Sequence, residues 1–342
     1  MSTPETYRAI GILDQEWGMS NITSTEDYSM GGYHNGVVKI LDGENTYAFK
    51  PYPSTSERLV IFTSRVLNHL EKSGFQNFPR LIPTSSGRYY AKTQKGDYGM
   101  LSPWIDGEPI SKTDPNDIKL AKLNTLARVV AEFHNATDSF AISEDSIHDE
   151  TMSESWVPEM IERHINTRNV LEEKDNIFEQ LGVEEKVYKL VKESGPFMAE
   201  MSDSERIRKI ERTLTKGIIH ADLWIGHWLF TDNDNVFLID FDRMRHGRRL
   251  DDVERIISES MDLGIQYPRI ILNEYSKHIH MSETDSKSLP MYLRYSVVRR
   301  AYWLTDQYIR RGTKLVDMPL NLAHEVEKAT NILNVDIESL LS

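Results

Sequence analysis

The sequence predicts an α+β protein of two lobes, a small strand-rich one followed by a larger helical one. Between Tyr28 and Tyr52 the residues alternate and turn as an antiparallel hairpin does, while from Asp117 onward apolar residues mostly recur at helical spacing. A chain of 342 residues is long enough to give each lobe a core of its own.

In chain order, YSMGGYHNGVVKIL opens on a glycine-rich bend, Asp42-Gly43-Glu44-Asn45 reads as a turn, and TYAFKPY is the returning strand. In SERLVIFTSRVLNHLEKSGF, Leu59, Phe62, Val66, Leu67 and Leu70 mark one helix face, opened by Ser56 and closed by Gly74. Pro79 to Pro83 is a connector, and GRYYAKTQ and YGMLSPWIDG are two further strands. The stretch IKLAKLNTLARVVAEFHNAT carries an apolar stripe through Leu120, Leu123, Ala127, Val130 and Phe133, predicting a long helix from Asp117 to Thr137. Residues 138–215 are charged and helical in texture, without a repeat. Strand signals return in GIIH, WLF and VFLIDF, with Asp232-Asn233-Asp234-Asn235 as a turn, and everything after Leu250 reads as helix.

Cysteine is absent, which excludes disulfides, thiolate zinc sites and cysteine nucleophiles. The first residues lack the basic and apolar stretches of a signal peptide, and no segment has the length and apolarity of a membrane span, so a cytoplasmic location is expected. Forty Lys plus Arg against 53 Asp plus Glu give a net charge of −13, a field that repels nucleic acid and anionic membrane. The same field favours a cationic small molecule, although acidic surfaces also serve solubility alone.

Residues 217–256 carry the chemistry. In GIIHADLWIGHWLFTDNDNVFLIDFDRMRHGRRLDDVERI a His-x-Asp leaves one strand and a second Asp ends the next, which brings Asp222 and Asp240 to one sheet edge. Two anions held close call for a divalent cation with a polyphosphate, and so for metal-assisted phosphoryl transfer. Taken singly, Asp222 also reads as an Asx-turn residue and Asp240 as a cap.

This stretch resembles the catalytic and metal-binding segments of aminoglycoside phosphotransferases and their choline, homoserine and spore-coat kinase-like relatives. In those proteins H-x-D-x-x-x-x-N is followed by an I-D-F/W-D/E strand end, and here His220, Asp222 and Ile239-Asp240-Phe241-Asp242 stand in register. The resemblance implies a bilobal protein-kinase-like fold, with residues 1–103 as the nucleotide-binding lobe and 104–342 as the catalytic and substrate-binding lobe. It implies ATP or GTP as phosphoryl donor and an alcohol group on a small, hydroxylated acceptor. Asp222 would be the catalytic base, Asp240 the metal ligand and His220 a brace of the catalytic loop. Asp252 would anchor that loop, with Asp251 equally eligible.

Two positions depart from the pattern. His227 stands where the family carries Asn, and imidazole favours softer ions than Mg2+, which brings Mn2+ into consideration. A single well-held ion, or a kinase-like binding or structural protein that has lost turnover, are the other outcomes of that substitution. Thr63 stands where relatives carry the glutamate that pairs with the phosphate-binding lysine, and Glu57 is the nearest acid on the same helix. That lysine is Lys50, at the end of YAFK, with Gly31, Gly32, Asn35 and Gly36 in the preceding bend placed to approach phosphates. Met100, Ser102 and Trp104 fall where the purine edge would be read. For the acceptor, Trp156 with Glu154 and Glu159, and Tyr302 with Trp303 and Asp306, combine aromatic faces with negative charge. That chemistry suits an aminoglycoside-like antibiotic, an amino sugar or an amino alcohol, and each of these residues also reads as an ordinary helix face.

Overall fold

The computed structural model describes residues 12–28, 36–93, 96–143, 146–147, 156–174, 176–232, 235–312 and 321–341. Gly31, Gly32, Asn35 and Glu154 lie outside them. The chain divides into two compact units, Met1–His148 with Gly217–Gly247, and Asp149–Lys216 with Arg248–Ser342. Among the described residues no helix is long and apolar enough to cross a membrane.

The first unit is built on a five-stranded antiparallel sheet. Its strands are β1 (Ile22–Tyr28), β2 (Val37–Asp42), β3 (Asn45–Tyr52), β4 (Ala91–Lys92) and β5 (Tyr98–Pro103), in the order β1-β2-β3-β5-β4. The predicted turn is present: Asp42 pairs with Asn45, and Gly43 takes a φ of 63° in the two-residue loop between them. Alternation along β3 sends successive side chains to opposite faces. Phe49 joins Val38, Ile40, Ala91 and Leu101 in one buried cluster, with Leu13 and Met19, while Tyr52 joins Tyr98, Met100 and Val60 in another. Lys50 shares its face with Tyr52.

Helix α1 (Glu57–Lys72) follows β3 and buries Val60, Phe62, Val66, Leu67 and Leu70. Ser56 makes no side-chain cap, because it ends a 3-10 turn over Ser54–Ser56 that leads directly into the helix. The helix stops at Ser73 and Gly74, whose amides bond back to the carbonyls of His69 and Glu71, Gly74 with a φ of 85°. Helix α2 (Asn116–Ala136) has the predicted extent, but its buried apolar stripe starts at Leu123, with Lys119 buried one turn earlier, and leaves Leu120 39% exposed. Further along, Phe133 packs against Phe75 and Phe241, with ring centroids 6.1 Å away in both cases.

Four short strands complete the unit: β6 (Lys216–Ile219), β7 (Trp228–Phe230), β8 (Val236–Leu238) and β9 (Arg245–Arg248), of which β6 and β9 each extend one residue past its boundary. β7 and β8 form an antiparallel hairpin in which Trp228 faces Leu238, and β6 pairs with β9. Asn77 ties the hairpin down, its side-chain amide donating to the Val236 carbonyl and its own carbonyl accepting from Leu238 N–H.

The second unit is helical, as the charged texture and the region beyond Leu250 predict. It comprises α3 (Val157–Leu171), α4 (Ile177–Gln180), α5 (Glu184–Met201), α6 (Ser204–Glu211), α7 (Arg249–Ser260), α8 (Tyr267–His278), α9 (Glu283–Arg311), α10 (Leu322–Asn334) and α11 (Ile337–Leu341). Helix α9 is opened by a reciprocal capping box between Ser282 and Asp285. Two buried acids on α7 behave oppositely. For Glu259, Arg255, Arg300 and Lys328 outweigh the effect of burial and hold the carboxyl down to about 2. For Glu254 burial dominates and pushes the carboxyl up to about 8, with Oε2 left without a hydrogen-bond partner.

The folded protein therefore holds the Glu254 proton more tightly than the unfolded chain does, whose pKa is near the ordinary 4.5. The stability this contributes is full below the unfolded value and is lost as pH rises through about 8. Denaturant titrations between pH 5 and 8 should show wild-type stability falling by up to a few kcal/mol, and Glu254→Gln should flatten that slope.

Candidate active site

The site grows from two irregular points in the first unit. Ala221 and Asp240 have φ of 63° and 64°, and they are the only non-glycine residues with positive φ among those described. Such conformations cost on the order of 1–3 kcal/mol each and persist where the surroundings over-determine them. Ala221 immediately precedes Asp222, and Asp240 stands between the end of β8 and a 3-10 turn over Phe241–Arg243.

Around them the imidazoles are fixed by backbone. His220 donates from Nε2 to the Ile239 carbonyl at 3.0 Å and accepts the Asp222 N–H at Nδ1, 3.3 Å away. The loop then makes a 3-10 turn over Ile225–His227. At Gly226 a Cβ would stand 2.4 Å from the outer edge of the Trp224 ring, so a side chain there would have to push that ring aside. His227 donates from Nδ1 to the carbonyl of Asp222 at 2.8 Å, which in the neutral ring leaves the lone pair on Nε2. Nε2 faces Oδ2 of Asp240 at 3.4 Å.

Asp240 also meets Lys50, whose Nζ lies 2.6 Å from Asp240 Oδ1 and 2.7 Å from Asp242 Oδ2. Tyr52 donates its hydroxyl to the other oxygen of Asp242 at 2.7 Å. Burial alone would lower the Lys50 pKa, but Asp242 and Asp240 outweigh it and hold the ammonium above its ordinary value. Burial, reinforced by Asp242, pushes the Tyr52 hydroxyl well up, so it remains a donor. Burial opposes the charge of Asp240, yet Lys50, then His227 and His220, keep its carboxyl below the ordinary range. Between the two acids Phe241 is buried, with the His220 ring at 4.6 Å, Phe133 at 6.1 Å and Phe78 at 6.4 Å.

The structure thus brings together Lys50, His220, Asp222, His227 and Asp240. Ligand atoms of Asp222, His227 and Asp240 all lie within 4.8 Å of one another. Cis ligands about 2.1 Å from an octahedral ion stand about 3.0 Å apart, so the His227–Asp240 separation of 3.4 Å is close to what a shared divalent cation needs. The backbone bond at His227 Nδ1 is the kind of outer contact that orients a metal-binding imidazole.

On the sheet, β5 pairs Met100 with Lys50 and Ser102 with Ala48, which puts both on the lysine's face. Trp104 follows the strand, its N–H bonded to the Thr46 carbonyl and its ring under Lys39 at 4.6 Å. Gly36 precedes β2, whereas Gly32 and Asn35 lie outside the described residues. Glu57 is turned to Lys92 at 3.0 Å, away from Lys50, and Thr63 is buried with its hydroxyl unpartnered.

In the second unit, Asp252 is fully buried on α7, while Asp251 binds Arg248 at 3.0 Å. Of the residues that the sequence nominates for the acceptor, the described ones already have partners. Trp156 lies between the guanidinium groups of Arg248 and Arg299, at 4.8 and 4.7 Å. Glu159 pairs with Arg163 at 2.6 Å, and Asp306 with Arg310 at 2.9 Å. Tyr302 is buried, sharing hydrogen bonds with Ser194 and His164, and Trp303 is half-buried one residue further on.

Sequence reasoning assigned no role to Asp242, Tyr52 or Arg243, although all three border the site. Arg243 Nε lies 3.7 Å from Asp222 Oδ2. Asp242 stands inside the strand-end motif, and Tyr52 is two residues from Lys50 on one strand, so the period of β structure marks it as a neighbour.

Several solved structures of similar shape share little sequence with this chain. An aminoglycoside phosphotransferase from Alicyclobacillus acidocaldarius subsp. acidocaldarius is 19% identical with a TM-score of 0.69, over 95% of this chain and 93% of its own. Spectinomycin phosphotransferase, in complex with ADP and spectinomycin, is 14% identical with a TM-score of 0.63, over 96% and 97%. Amicoumacin kinase, in complex with AMP-PNP, Ca2+ and Ami, is 12% identical with a TM-score of 0.65, over 99% and 97%. At such identities the likeness establishes the kinase-like fold. The sequence itself matches the model of the phosphotransferase enzyme family over residues 30–283, most of its length, and the chain belongs to that family.

Proposed function

We propose that this phosphotransferase is a small-molecule kinase, moving the terminal phosphoryl group of ATP or GTP to a hydroxyl of a small acceptor. The observation that carries the reading is the convergence of Asp222, His227 and Asp240 within 4.8 Å beside the largely buried Lys50. The nucleotides bound by similar enzymes support it, and their antibiotic ligands support a compact polar acceptor such as an aminoglycoside-like antibiotic, an amino sugar or an amino alcohol. The net charge of −13 suits the cationic members of that class.

In this reading Asp222 takes the proton of the acceptor hydroxyl as its oxygen bonds the terminal phosphorus. The bond from that phosphorus to the bridging oxygen breaks, and the departing diphosphate keeps the electron pair. Lys50 donates to phosphate oxygens. Gly32, Asn35 and Gly36 approach the phosphates, and Met100, Ser102 and Trp104 border the base. Asp240 and His227 would hold a divalent cation, Mg2+ or Mn2+, which when bound neutralises phosphate charge. His220 braces the loop; the resemblance implies a like role for Asp252, and Trp156, Glu159 and Trp303 are the nominees for the acceptor, whereas Tyr302 and Asp306 are buried among partners of their own unit. We place the lobe division at residue 103 and the protein in the cytoplasm. His227 in the position of an asparagine favours a second reading, a kinase-like binding protein with little turnover.

Thermal unfolding against ATP and GTP, each with Mg2+, Mn2+ or chelator, tests the proposal, since a ligand of the native state raises the midpoint. One nucleotide should raise it in a metal-dependent way, with Mn2+ more effective than Mg2+, and His227→Asn should reverse that order. No rise under any condition would remove the kinase reading. A rise without transfer to any hydroxylated acceptor would leave the binding protein.

A further inference from the structure

We infer that Asp242, braced by Tyr52, is the residue that positions Lys50 for the nucleotide, in place of an acid on α1. The inference rests on the reading of Lys50 as the phosphate-binding lysine. In kinase-like folds that lysine is held by a glutamate from the helix after its strand, and the pair must be intact for transfer. Here the helix has nothing to offer. Thr63 is buried with its hydroxyl unpartnered, and Glu57 is 56% exposed and committed to Lys92.

Both acids that do reach Lys50 come from the end of β8, and they are not equivalent. Asp240 touches the ammonium with Oδ1 but turns Oδ2 to His227, so it belongs to the cation-binding pair. Asp242 gives Oδ2 to Lys50 at 2.7 Å and Oδ1 to the Tyr52 hydroxyl at 2.7 Å, which fixes the carboxylate at both oxygens. Tyr52 is two residues beyond Lys50 on β3, on the same face. The strand that carries the lysine therefore also carries the group that aims the lysine's anchor. Phe241, buried among Phe78, Phe133 and His220, fixes the backbone between the two acids. When Asp240 engages an ion, Asp242 remains to hold Lys50.

A charged hydrogen bond of this kind contributes on the order of tenfold to binding when it orders the group that meets the ligand. Asp242→Asn should raise both the nucleotide KM and the calorimetric nucleotide Kd about tenfold, while the unliganded unfolding midpoint stays close to wild type. Asp242→Glu should recover part of that loss. Tyr52→Phe should move both constants in the same direction by about threefold, and it carries the test if Asp242→Asn does not fold. Glu57→Gln and Thr63→Val should leave them unchanged. If Lys50→Ala weakens nucleotide binding but Asp242→Asn and Tyr52→Phe both stay within about twofold of wild type, the anchor is not Asp242. A loss in Glu57→Gln matching that in Asp242→Asn would overturn it too. If Lys50→Ala itself changes nothing, the fault lies in the reading of Lys50 instead.

Discussion

Asp222→Asn should lower turnover by on the order of a thousandfold, about 4 kcal/mol of transition-state stabilisation, and leave nucleotide affinity within about twofold. The selectivity of that effect follows from how the loop is held. His227 bonds the backbone carbonyl of Asp222 and His220 its backbone N–H, so both supports survive a change of side chain. Asparagine has the same shape and no basic oxygen, and the side chain at this position is open enough to solvent that the exchange strands no buried partner. Steady-state kinetics with nucleotide varied at saturating acceptor, together with calorimetric nucleotide titration, separates the two quantities. Turnover within tenfold of wild type would exclude Asp222 as the proton acceptor.

Asp240→Ala should act on binding as well as on rate. It removes Oδ2 from the pair with His227 and Oδ1 from Lys50, and should weaken metal-dependent nucleotide binding by about ten- to a hundredfold. The telling comparison is with chelator. In the wild type chelation should weaken nucleotide binding, whereas in the variant it should change almost nothing. Because residue 240 is left-handed, alanine also adds backbone strain on the order of 1 kcal/mol. Asp240→Asn, which tolerates that conformation, is the control for folding. A variant that still responds to chelator as wild type does would place the cation elsewhere.

The strand-then-helix order was legible in the sequence because periods of two and of 3.6 leave different marks, and β2, β3, α1 and α2 lie close to where those marks put them. Leu120 was read to the wrong side because a stripe of helical period can be drawn through more than one set of apolar residues. At the site, spacing was enough to predict that Asp222 and Asp240 meet, but not how: they follow β6 and β8, which belong to two different two-stranded sheets and not to one sheet edge. Spacing did not reveal what each acid touches. The left-handed backbone at Ala221 and Asp240 has no signature in residue type, because neither is glycine. The commitment of Glu57 to Lys92, and of Asp242 to Lys50 and Tyr52, depends on side-chain direction across strands distant in sequence, which no local pattern encodes. On the helical side, carboxylates and aromatics were visible as types, but whether Glu159 and Asp306 are free or spoken for is decided by Arg163 and Arg310 one turn away.

Phe241 makes the two acids beside it mechanically one part. Any change that shifts its ring against Phe78, Phe133 or His220 displaces Asp240 and Asp242, both partners of Lys50, together. On the proposed roles, selection acting on metal preference through Asp240 is then not independent of selection acting on nucleotide affinity through Asp242. His227, reached through a separate loop, is the position where one property can drift without carrying the other along.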